Sequence, residues 1–308
     1  MQLPSEQLLS RVAALIAAVS CILLVFEAQL SAAPWLRRSI AALLAAAGIF
    51  AYYEFFSIPV PAFFHRWEMF HYVLGAKYAP ELEYERLYAC AALADADNGQ
   101  RDAVRARPLR DLHDDELISG AAVLAHPERC MQHFSATRWR AFRRDVAVFR
   151  GLIGDRATWD ALYTDHGYNP SPVWTMLGRP LASAAPVSAT LLRRLAWIDP
   201  CLMLAALALI AWGFGLRIAW LATLFWSTQA PSNFSWTGGA FLRQDWLLLA
   251  IAALVLARKR RFLAAGACLA WSALLRVFPV LFFAGALLLA AAGLMRARSP
   301  KRFAPELR

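Results

Sequence analysis

Cysteine is scarce, five in 308 residues, and none forms a CxxC pair or stands at zinc spacing with histidine, which sets aside a structural zinc site. No internal repeat and no low-complexity tract beyond alanine and leucine richness is present, which sets aside a repeat architecture. Histidine is missing from every apolar run: His65, His71, His113, His126, His133 and His166 all lie between residues 58 and 195. Acidic residues are almost as confined. Residues 58–195 hold 16 Asp and Glu against 17 Lys and Arg, leaving 6 acidic and 15 basic residues for the rest of the chain. The formal charge of +10 therefore flanks apolar runs. It is a topology signal, not a nucleic-acid footprint.

What remains is strongly apolar: 59% of the chain is hydrophobic, which points to an all-α, polytopic membrane bundle. Seven apolar segments can be drawn, at 11–30, 39–57, 195–214, 217–231, 242–257, 261–275 and 277–295. Several fall short of the roughly 20 residues that a perpendicular span needs, so tilt or re-entrant pieces are expected. Arg276-Val277-Phe278-Pro279 divides the last long run, because proline disfavours a helical residue before it. The first run is signal-length, but its weak flanking charge and weak Ser31-Ala32-Ala33 cleavage site favour a retained helix. The domains are thus expected at 1–57 (a transmembrane pair), 58–194 (a polar insert), 195–295 (a transmembrane bundle) and 296–308 (a basic tail). Arg37-Arg38, Arg217, Arg258-Lys259-Arg260-Arg261 and the tail (Arg296, Arg298, Lys301, Arg302) all become cytoplasmic with seven spans. The insert, the 232–242 loop and the Arg276 turn then share the extracytoplasmic face of a bacterial-type plasma membrane.

The insert has a mostly helical pattern. Tyr84–Ala96 is predicted helical and stopped by Asn98-Gly99. Ser135 caps a second helix whose Trp139, Phe142, Val146 and Phe149 share a face. Asp165 to Pro172 is a turn-rich loop expected to return the chain to the membrane. Cys90 and Cys130 are the only cysteines in the insert; in an oxidising compartment they can pair, and otherwise they are two buried thiols. Cys21, Cys201 and Cys268 read as small buried hydrophobes.

Glu68 is the foremost candidate for chemistry, in His65-Arg66-Trp67-Glu68-Met69-Phe70-His71-Tyr72. A carboxylate among aromatic rings at an interface can act as a general base; the plainer alternative is a solvated residue on an interfacial helix. His65 and His71 bracket it at minus and plus three, suited to phosphate contact. Arg243 and Arg276 stand where charge is costly, and either binds a lipid phosphate or snorkels to the interface. Gln244 and Asp245 follow Arg243 directly, and Asp199 or Glu54 is available as a partner for one of the arginines. No cofactor is called for, and a divalent metal is left open, although a His/Glu site has no standard spacing behind it.

At these residues the chain resembles the GT-C superfamily of polytopic glycosyltransferases, and within it the polyprenol-phosphate-mannose-dependent α-mannosyltransferases. Glu68, Tyr72, Gly75-Ala76 and Leu87-Tyr88 look like that family's acidic-residue series after an early span. Arg243-Gln244, the 258–261 basic cluster, Ala265-Gly266 and Arg276-x-x-Pro279 follow in the family's order. Glu stands where the family has Asp, and the insert is longer than its first loop. The chain also stops after seven spans where such enzymes commonly have more, which implies a shortened or degenerate copy.

The resemblance implies an inverting mannosyl or hexosyl transfer from a polyprenyl-phosphate sugar to a glycan or lipid acceptor. Glu68 would be the base. Arg243, Arg276, His65 and His71 would bind the donor phosphate, and Tyr72, Lys77, Gln244 and Asp245 would support them. Glu68, Arg243 and Arg276 are then expected to share one outward-opening cavity. The competing reading is a non-catalytic scaffold or transporter-like protein whose insert binds a partner. A transporter would place its ionisable groups nearer mid-membrane.

Overall fold

A computed structural model describes residues 5–26, 33–56, 63–229, 234 and 238–297. The chain is mostly helical and divides into two compact units, Phe64–Ala196 on one hand and Met1–Phe63 with Trp197–Arg308 on the other. Trp236-Thr237 and the tail residues Arg298, Lys301 and Arg302 lie outside the described residues.

In the apolar unit each of the seven apolar segments holds a helix: Glu6–Val25, Pro34–Tyr52, Ile198–Phe214, Leu216–Thr228, Asp245–Arg258, Phe262–Leu275 and Val280–Ala297. Some of their ends carry familiar signals. Ser5 accepts the Leu8 N–H at the start of the first, and Pro34 occupies the first turn of the second. Gly215, at φ 90°, separates the third from the fourth. Among the described residues three stretches are long and apolar enough to cross a membrane: Glu6–Val25, Pro34–Tyr52 and Ala189–Phe214.

Small residues let these helices approach one another, as helices in lipid require. A Cβ on Gly48 would collide with Ser227, and one on Gly213 with Val255. Ile16, Ala51 and Leu224 make a small buried cluster flanked by Trp220 and Leu44. Many large apolar side chains, Leu15, Leu204, Phe225 and Leu263 among them, instead face outward, as suits a lipid-facing surface. The same outward placement corrects the expectation for Cys21 and Cys201, which are exposed, and Cys268, which is half-buried: on a helix in lipid a small apolar residue gains nothing by turning inward.

The polar unit has an aromatic core of Phe70, Phe142, Phe149, Trp159 and Tyr163, all buried. Ser135 caps the Ala136–Ile153 helix by accepting the Arg138 N–H at 3.3 Å, and Trp139, Phe142, Val146 and Phe149 form its buried face. Leu87–Asp95 is helical, shorter than the predicted 84–96, and Gly99 at φ 88° turns the chain into Arg101–Ala106. Pro108–Asp111 pairs antiparallel with Glu116–Ser119, a hairpin the sequence reading did not separate out. The loop from Asp165 does not lead straight to the apolar unit. Ser171 caps a further helix, Pro172–Ala182, with proline in its first turn, and Ala189–Ala196 follows. Cys90 and Cys130 form a disulfide with Cα atoms 5.4 Å apart, closing a 40-residue separation.

Buried charge in this unit is paired. Asp95, fully buried, accepts from Arg107 at 2.9 Å, from Arg150 at 2.7 Å and from the Trp159 indole at 3.0 Å. Arg107 also reaches Asp160 and stacks 4.4 Å over the Tyr163 ring. Such a network costs desolvation but leaves each carboxylate oxygen satisfied, so removing one member strands the others.

Candidate functional site

Glu68 lies half-buried in the short Arg66–Met69 helix, which His65 caps: His65 Nδ1 accepts the Glu68 N–H at 3.2 Å. The helix runs on through a π-turn at Phe70–Leu74, a feature that widens the backbone and often marks function. Next to Glu68, the Trp67 indole donates to Asp165 at 2.6 Å.

His71, expected at the edge of the site, lies inside the polar unit. It is buried, its Nδ1 bonds the Trp67 carbonyl at 2.8 Å and its Nε2 bonds the Tyr88 hydroxyl at 2.7 Å. The carbonyl can only accept, so Nδ1 carries the proton, and Nε2 accepts from Tyr88. Tyr88 in turn accepts the Gly167 N–H at 2.8 Å. Burial lowers the His71 pKa and outweighs the nearby Asp165 carboxylate, which acts to raise it. Asp165 itself sits below the usual carboxylate range: burial would lift it, but the hydrogen bonds from Trp67 and the His166 N–H prevail. The result ties the loop at 165–167 to the helix that carries Glu68.

Lys77 is likewise committed inside the unit. Its ammonium is 2.8 Å from the buried Asp145 carboxylate and 3.2 Å from the Ala185 carbonyl. Asp145 also accepts from Tyr78 at 2.8 Å and Arg144 at 3.0 Å. Burial and the adjacent Asp145 charge push the Tyr78 phenol above its ordinary range, so it stays a donor. Tyr72 donates to Asn169 at 3.1 Å and packs edge-on against Trp174. Lys77 and His71 thus each hold internal partners, as a buried charge or ring nitrogen requires.

Arg243, Gln244, Asp245 and Arg276 belong to the apolar unit, where the chain brings them to one end of three helices. Asp199 stands in the first turn of Ile198–Phe214, Asp245 opens Asp245–Arg258, and Arg276 follows Phe262–Leu275. Each charge has the sign the helix dipole favours at that end. Asp199 is the residue the sequence reading underweighted. Its Oδ1 accepts the backbone N–H groups of Arg243 at 2.9 Å and Gln244 at 3.1 Å, rather than a guanidinium. Its Oδ2, buried, has no hydrogen-bond partner among the described residues, and neither has Asp245 Oδ2.

Asp199 and Gln244 line a cavity of about 90 Å³ whose walls include Tyr52, Tyr53, Trp226 and Phe234. Leu242, just before the cluster, is held at φ 52°, a left-handed conformation unfavourable for a leucine. Glu54 is buried as well, at the end of the second helix. The signal available in the sequence was a pair of carboxylates, each opening an apolar run.

No family model, curated protein or solved structure matches this chain. Among the described residues no group of three or more His, Cys, Asp or Glu side chains is arranged to hold a metal ion. Glu68 falls in the polar unit, and Arg243, Arg276 and Asp199 fall in the apolar unit.

Proposed function

We propose that the chain is an integral-membrane glycosyltransferase that moves a mannosyl or other hexosyl group from a polyprenyl-phosphate donor to an extracytoplasmic glycan or lipid acceptor. The topology is seven spans, with the 58–194 insert on the outer face of a bacterial-type plasma membrane. The observation that carries this reading is the polar cluster of Asp199, Arg243, Gln244, Asp245 and Arg276 at the helix ends of an otherwise apolar unit. Ionisable groups in such a setting are costly and typically mark a substrate path.

In the proposed reaction the acceptor hydroxyl gives its proton to a carboxylate as its oxygen bonds to the anomeric carbon. The bond from that carbon to the donor phosphate breaks, and the electron pair leaves with the polyprenyl phosphate. Arg243 and Arg276 steady the added charge on that leaving group. Family resemblance gives the base role to Glu68. Local geometry favours Asp199, which lines an aromatic-walled cavity: its Oδ2 is buried and has no hydrogen-bond partner among the described residues, while Oδ1 is fixed by two N–H groups.

The scaffold reading draws on one observation: His71 and Lys77 are consumed by internal bonds, leaving the polar unit as a stable folded module. Sugar transfer in proteoliposomes separates the two. Loss of activity in Asp199→Asn or Glu68→Gln, with folding intact, supports the transferase, and absence of transfer by the wild type from several polyprenyl-phosphate sugars supports the scaffold.

A further inference from the structure

The helix Pro172–Ala182 of the polar unit is apolar on two faces. Trp174, Gly178 and Ala182, four residues apart, form its buried face. Val173, Met176, Leu177 and Pro180 form the opposite one, where Met176 and Leu177 are 69% and 50% exposed. Thr175 and Arg179 are the only polar side chains in the helix. A helix apolar all round is ordinarily buried in a core or in lipid, and contiguous exposed apolar surface marks an interaction site.

The course of the chain and its charge both bear on what covers this face. Ala189–Phe214, 26 residues long, is one of the stretches able to cross a membrane. At 1.5 Å per residue it runs about 39 Å, more than the roughly 30 Å of hydrocarbon in a bilayer. Its first turns, which carry Arg193 and Arg194, then stand among the headgroups. The step from Ala182 to Ala189 reaches at most about 25 Å, which tethers the Pro172–Ala182 helix near that surface.

No acidic residue falls between Asp165 and Asp199, a stretch that holds Arg179, Arg193 and Arg194. Beside the exposed face, a cavity of about 610 Å³ is lined by Lys77, Arg138 and Arg179 and by no carboxylate. Lys77 and Arg138 are already paired, with Asp145 and Glu81. Arg179 is exposed and makes no ion pair or hydrogen bond among the described residues, so it is the cation open to a ligand.

We infer that this face rests on an anionic bilayer surface, with Met176 and Leu177 among the headgroups and Arg179 on a lipid phosphate. The tether to the span selects lipid over a soluble partner, and the acid-free stretch selects anionic lipid. The inference requires only that the span from Ala189 crosses a bilayer, and it does not depend on the transferase reading.

The full chain in nanodiscs tests it, with Cys21, Cys201 and Cys268 replaced by serine, the disulfide intact and one fluorophore on a single added cysteine. The discs hold dioleoyl-phosphatidylglycerol and dioleoyl-phosphatidylcholine in equal parts, with or without a lipid carrying a nitroxide quencher near its headgroup. The label on Met176→Cys should be quenched by the nitroxide lipid and shielded from aqueous iodide. A label on Ala121→Cys, exposed elsewhere on the polar unit, should show the reverse. Arg179→Gln, or discs of phosphatidylcholine alone, should lower the ratio of lipid-quenched to unquenched Met176→Cys label about fivefold. Leu177→Cys repeats the measurement if the first variant fails to fold. Iodide quenching as strong at Met176→Cys as at Ala121→Cys would overturn the inference. So would lipid quenching that ignores both changes of charge. Shielding from iodide without lipid quenching would mean that protein, a second copy included, covers the face, and would refute the lipid surface.

Discussion

Replacing both Cys90 and Cys130 with serine removes the one covalent tie in the polar unit. The separation of 40 residues sets the magnitude. The chain-entropy relation, 2.1 + 1.5R ln n with n of about 40, gives about 13 cal/mol/K, or about 4 kcal/mol at 25 °C. Both side chains are buried, so the variant also places two hydroxyls where sulfur was packed, and this adds to the loss. For a unit of this size each kcal/mol moves the midpoint by roughly 3–5 °C, so the unit should melt about 15 °C lower. The assay is thermal unfolding of the detergent-solubilised chain by intrinsic fluorescence, for which Trp139, Trp159 and Trp174 are buried reporters. Thiol titration of the denatured wild type should find only Cys21, Cys201 and Cys268 reactive before reduction, and all five cysteines after it. A midpoint within about 2 °C of wild type, or five thiols without reductant, would refute the argument.

Tyr88→Phe should cost about 2–4 kcal/mol, since it strands the Gly167 N–H and the His71 Nε2 in the interior; amide exchange at Gly167 should rise with it, and an unchanged exchange rate would count against the link. Acidification should destabilise the polar unit in two stages. His71 has a depressed folded-state pKa, so its contribution is complete above the ordinary value of 6.5 and is lost as pH falls below it. The Asp165 contribution is present above 3.8 and is lost only below that. His71→Gln should flatten the first stage of a melting series between pH 7.5 and 4.5, and an unaltered slope would show that another group titrates there. Gly48→Leu should destabilise the apolar unit by about 1–3 kcal/mol, because a side chain there meets Ser227 on the facing helix; an equally stable variant would mean that the helices have room to separate.

Much of the framework was readable from residue pattern. Apolar runs located the helices of the apolar unit, and the Ser135 cap with its Trp139, Phe142, Val146 and Phe149 stripe located the long helix of the polar unit. Both are local signals, decided by capping and periodicity within one segment. The Cys90 and Cys130 pair could be singled out because only two cysteines lie in the insert.

What escaped is non-local. Nothing near Asp95 announces Arg107, Arg150 and Trp159 as its partners, since the last two come from helices more than 50 residues away. His71 looked available because it stands three residues after Glu68, yet Tyr88 and the Trp67 carbonyl occupy both its nitrogens. Asp199 is gripped by backbone N–H groups 44 and 45 residues on, a bond that no side-chain pattern encodes. Four-residue strands such as Pro108–Asp111 are too short for an alternating pattern to declare itself.

The most direct test of the transferase is transfer of labelled mannose from polyprenyl-phosphate mannose by the chain in liposomes, wild type beside Asp199→Asn. The amide keeps the oxygen that holds the Arg243 and Gln244 N–H groups and removes only the base. The account predicts transfer by the wild type and a drop of about 10²-fold or more in the variant, at unchanged melting temperature. Absence of transfer by the wild type would contradict it, and full activity in Asp199→Asn would remove Asp199 from the base role.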